Sequence, residues 1–406
     1  MAIQVVFAFS QDAGGVTNFF ELDSAVKGKL DNTVYTLGGD FSLVDVTDKV
    51  RTLSISRGRS ALLGEVQAGS ASIVLDNRAR LFDPLSGSGA SFPYVDNIVP
   101  RKNVQILLDG VPIFSGLVDD WQIDYAVSGD STTTAICGDG FLTLGQTNVT
   151  TTTKSAQTSG ARIGAVLTES GWPTGKRDLD AGLVTLQADT PAANTNLLSY
   201  ISTIKNTEFG AFYMDRQGLA TFEDRQATQN FATATVLGSG GVPISSIEVD
   251  SSTDQIFNTV KLTRKGGGTE TRTDSTSETT YGKSELSQTD LLFDDDTELG
   301  ELADFLLARH KDVAYEITSV SIVVDGLNAS QRATVGALEV ADPLQVVFAP
   351  STGAAISQYA TLDRIEHSFT RAEPNHVVTL SMSQAQASFI LDSALFGILD
   401  TSTLGF

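Results

Sequence analysis

Cysteine is nearly absent. A single residue, Cys137, excludes an intrachain disulfide framework and any cysteine-based zinc site. Three histidines, His310, His367 and His376, leave little material for a metal centre. Basic residues are scarce, with 27 Lys and Arg against 49 Asp and Glu and a formal net charge of −22. Proteins that grip nucleic acid neutralise its phosphates with Lys and Arg, so a DNA- or RNA-binding role is disfavoured. No apolar run approaches the roughly 20 residues of a membrane-spanning helix. The opening "MAIQVVFAFSQD" lacks the basic start of a secretory signal. These absences give the expectation of a soluble protein from a reducing compartment, or of a particle assembled in one. Enzyme signatures are missing too: there is no H-E-x-x-H, no G-x-S-x-G and no dinucleotide-binding fingerprint.

What is present points to β structure. The chain of 406 residues and 43.0 kDa has 41% hydrophobic and 19% charged residues, normal for a globular protein of two to four domains. Thr, Ser and 36 glycines are abundant, and alternating stretches such as "VRTLSISRG" read as half-buried strands. The spacing predicts a first β domain over residues 1–145 and a polar linker over 146–160. An α+β unit follows over 161–236, with helices in "ARIGAVLTESG" and "NTNLLSYISTIKNTEFG" and a hairpin turning at Gln217-Gly218. A second β domain is expected over 237–385, with a long polar loop at 265–290 and a helix at 296–311. The helix carries acids at its start and Arg309, His310 and Lys311 at its end, matching its dipole. Residues 386–406 form an apolar tail, expected to dock on a neighbour or on its own domain.

Three strand motifs recur in the same order. "SASIVLD" (Ser70 to Asp76) pairs with "SVSIVVD" (Ser319 to Asp325), and "VQILL" (Val104 to Leu108) with "LQVVF" (Leu344 to Phe348). "GLVDDWQID" (Gly116 to Asp124) pairs with "ATLDRIEHS" (Ala360 to Ser368). One such match is weak, but three in order read as an internal duplication: two β-barrel-like domains flanking the α+β unit.

The duplication bears on the most enzyme-like feature, the acidic pair Asp119 and Asp120 beside Trp121. Alternation along a strand points the two carboxylates to opposite faces, so they cannot converge on one substrate. Asp120 also meets Arg364 in the second copy. The run "FDDDTE" lacks the spaced ligands of a calcium loop and is explained by a helix N-terminus. His367 and Cys137 lie on strands and read as packed residues. Trp121, Tyr125 and Phe141 could form a sugar platform, but barrel packing is the commoner use of such residues. No catalytic, cofactor-binding or metal-ligating residue is assigned, no cofactor is expected, and the chain is read as a non-enzyme.

One resemblance spans nearly the whole chain. "DVTDKVRTLSISRGRSALLGEVQAGSASIVLDNRARLFDPLSGSG" and "NIVPRKNVQILLDGVPIFSGLVDDW" resemble the N-terminal part of minor tail proteins at the tail tip of long-tailed bacteriophages, the tail hub type related to baseplate hubs. "FNTVKLTRKGG" and "FILDSALFGILDTSTLGF" fit the same family; residues 1–44 do not. The resemblance implies a structural virion protein with two tail-tube-like antiparallel β-barrels. It implies a homotrimer whose six β units dock onto a six-fold tail tube or distal tail ring, among other tail-tip proteins. It implies a channel that opens for DNA ejection and passes the genomic DNA without specific binding, in a tail tip assembled in the host cytoplasm. The alternatives are a carbohydrate- or receptor-binding β module and an acidic glycoside hydrolase.

Overall fold

In the computed structural model the described residues are 3–10, 41–59, 66–87, 94–227, 231–251, 256–313, 315–371 and 375–384. The first repeat supplies β1 (Ile3–Ser10), β2 (Phe41–Asp45), β3 (Val50–Arg59), β4 (Val66–Asp76), β5 (Asn103–Leu108), β6 (Val111–Asp124) and β7 (Thr132–Gly138). The middle of the chain forms α1 (Phe141–Leu144), β8 (Gln157–Thr158), α2 (Ser159–Glu169), β9 (Arg177–Leu179) and β10 (Thr185–Leu186). It continues with α3 (Leu197–Glu208), β11 (Ala211–Met214) and β12 (Ala220–Glu223). After β13 (Thr235–Gly238) and β14 (Ser246–Asp250) come β15 (Thr259–Arg264), β16 (Thr269–Thr273), α4 (Ser275–Tyr281), β17 (Glu285–Leu291) and α5 (Asp296–His310). The chain then runs through β18 (Glu316–Val323), α6 (Ala329–Ala337), β19 (Pro343–Phe348), β20 (Ile356–Thr370) and β21 (Asn375–Gln384).

The fold is mainly β, and one sheet of 13 strands joins the two repeats. Its order is β14-β18-β21-β20-β3-β4-β7-β6-β5-β1-β2, with β19 beside β20 and β13 beside β19. The first repeat therefore reads β3-β4-β7-β6-β5-β1 and the second β14-β18-β21-β20-β19-β13, the same order strand for strand. They differ at one end, where β1 runs antiparallel to β5 but β13 runs parallel to β19. No closed barrel is found among the described residues; the expectation of two separate barrels meets a single open sheet. The reason lies in β20: β19 pairs only with Ile356 to Thr361, and β3 takes the edge from Arg364 to Thr370.

Registers refine the sequence alignment. Val118 pairs Cys137 and Leu362 pairs Met382, and each strand then skips one residue, Asp119 or Asp363, in a β-bulge. The "GLVDDWQID" and "VQILL" matches fall on these registers as aligned. The first motif is displaced: Ser72 pairs Ile136 and Ser319 pairs Ser381, so Ser72 corresponds to Ser319 and not to Ser321. A shift of two residues preserves the side-chain faces, so alternation cannot detect it.

One hydrophobic core runs under both repeats, from Phe7 and Ile73 to Ile322 and Leu380. A second core contains α2, α3 and α5 with Val260, Leu262 and Phe293, so residues 256–310 pack with the middle of the chain. Residues 265–290 are not a long loop: they include β16, α4 and β17, with β16 and β17 flanking β15 in a small sheet. Their exposed faces are Thr- and Glu-rich, which masks the strand pattern. Residues 146–160 are also packed. Val149 and Lys154 are buried, and Lys154 Nζ lies 2.6 Å from Glu169. The helix expected at 296–311 is α5, capped by Asp295, which accepts from the amides of Thr297 and Glu298. The apolar tail 386–406 lies outside the described residues, as do most of residues 1–44.

Candidate functional site: a polar sheet face and two open edges

The seam between the repeats is built from β20 and β3. Ser368 faces Ser54, Phe369 faces Leu53 and His367 faces Ile55. Beneath it lie two buried ion pairs, Arg59 to Asp363 at 2.8 Å and Arg57 to Glu339 at 2.5 Å. Ser383 also donates to Asp363, at 2.5 Å. Glu339 further accepts from the backbone amide of Arg216, so the same carboxylate ties the seam to the middle of the chain. Gly58 sits between the two arginines at φ +118°, with the Asp363 carbonyl in the space a Cβ would fill. His367 and His376 meet behind the seam, Nδ1 to Nε2 at 3.1 Å. Burial pushes both imidazoles down, His376 to about 4, which keeps them neutral.

The opposite face of the seam is a shallow groove lined by Ser54, Ser56, Ser70, Ser72, Glu366 and Thr379, with no Lys or Arg in its lining. Arg364, at one end, lies 3.5 Å from Glu366. The alternation that buries Leu53, Ile55, Ala71 and Ile73 leaves short hydroxyls and a carboxylate on the other side.

The two repeats differ in what covers their long strands. In the second, β3 covers β20 beyond the bulge, and Ile365, His367 and Phe369 are buried. In the first, no described strand pairs that edge of β6 beyond Val118. Trp121 there is half-buried against Phe7, with ring centroids 5.3 Å apart, and Tyr125 is 49% exposed. Among the described residues β14, the counterpart of β3, pairs only β18, and its Val249 is 48% exposed. Exposed strand edges are usually avoided in a finished sheet.

Comparison with solved structures gives this geometry a context. A 43 kDa tail protein of prophage MuSo2 from Shewanella oneidensis superposes with a TM-score of 0.57 at 13% identity, covering 94% of this chain and 98% of its own. A tail protein from Neisseria meningitidis MC58 gives 0.59 at 12% identity, over 95% and 98%. The fold is shared with prophage tail proteins. Prophage tail protein gp18 from Listeria monocytogenes EGD-e superposes at 0.51 with 10% identity, over 93% and 94%. No protein-family model matches the sequence, and no curated protein does.

Within this tail-protein fold the residues singled out from sequence are dispersed. Asp119 and Asp120 are exposed at the β6 bulge, and Asp119 corresponds to the buried, Arg-paired Asp363. Trp121 donates to the Val99 carbonyl at 3.0 Å, and Phe141 is buried. Tyr125 bonds Asp83 at 2.7 Å, so these aromatics form no shared platform. Cys137 is buried in β7, and burial pushes its thiol up to about 12. His310 ends α5 with its ring 5.6 Å from Phe257. In "FDDDTE", Asp295 is the helix cap and Asp296 pairs Arg264 at 2.6 Å. Sequence reasoning missed Arg57 and Arg59, whose only visible signal was charge inside the strand pattern "SRGR", and Glu339, which lies in the turn after α6 and carries no local signal.

Burial also pushes the carboxyls of Glu223 to about 7 and Asp342 to about 6. Glu223 accepts from the Tyr213 hydroxyl at 2.7 Å. Such values can mark an acid catalyst, but these groups sit at the packed contact of β11 and β12 with the turn after α6. Glu223's contribution to stability is full below its ordinary value of 4.5 and is lost as pH rises through about 7. Glu223→Gln is therefore expected to flatten the fall of the urea midpoint between pH 4.5 and 7.5. An unchanged slope would contradict this assignment.

Proposed function

We propose that the chain is a structural component of a phage tail tip, a hub or minor tail protein. Its copies form a trimeric ring of six similar β units that joins the tail tube to the tip and lines or closes the DNA channel during ejection. The observation that carries this reading is the duplication inside a tail-protein fold: two repeats of one strand order, joined edge to edge, present the start of a ring. Three chains then supply six units, which allows docking on a six-fold tube. The strands of the 13-stranded sheet from residues 1–145 and 237–385 act as the two ring-forming regions, and the middle of the chain, with residues 256–310 packed on it, as the unit carried outside them. The partners are the tail tube or distal tail ring and other tip proteins, and the work is mechanical rather than catalytic.

The polar groove fits a channel wall. Hydroxyls and a carboxylate line the groove, and the cation at its end, Arg364, faces Glu366, so DNA phosphates find little to neutralise them and the duplex slides past. Ser56→Lys with Glu366→Lys is expected to raise low-salt DNA binding by about tenfold or more and to slow ejection. DNA binding by the unaltered chain equal to that of the variant would contradict the channel role. The ring itself is tested by counting copies in purified tails: three are expected, and tens of copies would place the chain in the tube instead.

A further inference from the structure

We infer that the open edge of β6 takes β14 of a second copy of this chain, in the register that β20 and β3 use within one chain. The inference rests on the ring reading above and names the surfaces that close it. The template is the seam itself, because β6 corresponds to β20 and β14 to β3. The correspondence holds at the atomic level where the covered edge begins. Arg101 donates to the Val118 carbonyl at 2.7 Å and Val118 to that of Lys102 at 2.8 Å. Ala341 donates to Leu362 at 2.8 Å and Leu362 to Asp342 at 2.9 Å, the same pair of bonds. Arg101 and Ala341 both adopt left-handed backbone, at φ 68° and 72°. The bulge follows one residue later in each strand, at Asp119 and at Asp363. Two edges alike to this degree are built for like partners, yet among the described residues only the β20 edge has one.

The register follows from the pairings. Ser54 and Glu248 correspond, since they face the matching residues Ser72 and Ser319. Asp124 corresponds to Ser368, which faces Ser54. Across the new seam Asp124 therefore faces Glu248, Tyr125 faces Ile247 and Ile123 faces Val249. The apolar members match: Tyr125 and Val249 are half exposed, whereas their counterparts Phe369 and Ile55 are buried at the inner seam. The edges are different surfaces of one chain, so the contact is head-to-tail and must close into a ring or run on as a filament. The facing Asp124 and Glu248 oppose association, as like charges across a strand pair do. Self-association is thus expected to tighten with added salt, and Asp124→Asn to tighten it by about two- to fivefold.

Cysteine pairing tests the contact. Directly opposite residues have Cβ atoms about 4.5–5.5 Å apart, close to disulfide reach. Ile123→Cys with Val249→Cys, in full-length Cys137→Ser chain under mild oxidation, is expected to give covalent dimers and trimers. Ser54→Cys with Ser368→Cys is the within-chain control, which crosslinks without changing mass. If native mass shows an oligomer that neither this pair nor Tyr125→Cys with Ile247→Cys links, the β6–β14 contact is wrong and the ring reading stands. If the chain stays monomeric at every concentration while the control pair closes, both are overturned.

Discussion

Asp363→Ala is expected to destabilise the chain by about 3–5 kcal/mol, the range for removing one partner of a buried ion pair. The substitution leaves the Arg59 guanidinium buried beside the seam with its carboxylate gone, and it strips Ser383 of its acceptor. Burying an unpaired charge is the expensive part, so the loss reflects the stranded arginine more than the worth of the contact. The double variant Arg59→Met, Asp363→Leu removes both charges and is expected to recover most of the loss. Urea denaturation of the three chains decides this. A single variant within about 1 kcal/mol of the parent, or a double as unstable as the single, would contradict it.

Gly58→Ala is expected to be at least as damaging, for a backbone reason. A Cβ there would lie 2.1 Å from the Asp363 carbonyl oxygen and 2.8 Å from the Arg364 Cα, and the residue holds φ +118°. The positive φ alone costs about 1–3 kcal/mol in a residue with a side chain. The clash adds to it, because it is with backbone of the paired strand and only separation of β3 from β20 relieves it. Gly110→Ala separates the two effects: its φ is +85° with nothing within 4 Å of the new Cβ. Gly110→Ala should show strain alone, and Gly58→Ala should lose several kcal/mol or fail to accumulate folded chain. Equal losses at the two sites would refute the close approach.

The repeat was legible in sequence wherever a strand carried more than alternation. "GLVDDWQID" and "ATLDRIEHS" align correctly because the bulged aspartate marks a position along the strand. "SASIVLD" has no such marker, and its match slipped by two residues without changing faces. The seam was not legible. Arg57 and Arg59 meet Glu339 and Asp363, residues 282 and 304 positions away, and no local pattern encodes such pairing. Residues 265–290 read as loop because β16, "TETRT", and β17, "ELSQTDL", alternate polar residues with polar residues. Only the end of β17 enters the middle core, at Leu291 with Leu286 packed against it, and a strand-by-strand reading does not see that contact. Asp119 and Asp120 were expected to diverge by strict alternation, but the bulge at Asp119 interrupts it: Val118 and Trp121 both pack on the core, and the two carboxylates between them are both exposed.

The ring is the central claim, and native mass tests it most directly. Purified full-length chain, measured across a concentration series by light scattering or native mass spectrometry, is predicted to reach three times 43.0 kDa and to stop there. The trimer should persist when salt is raised, because the contact opposes like charges rather than depending on opposite ones. A chain that settles as a two-fold dimer, or that remains a monomer at the highest concentrations reached, would contradict the account.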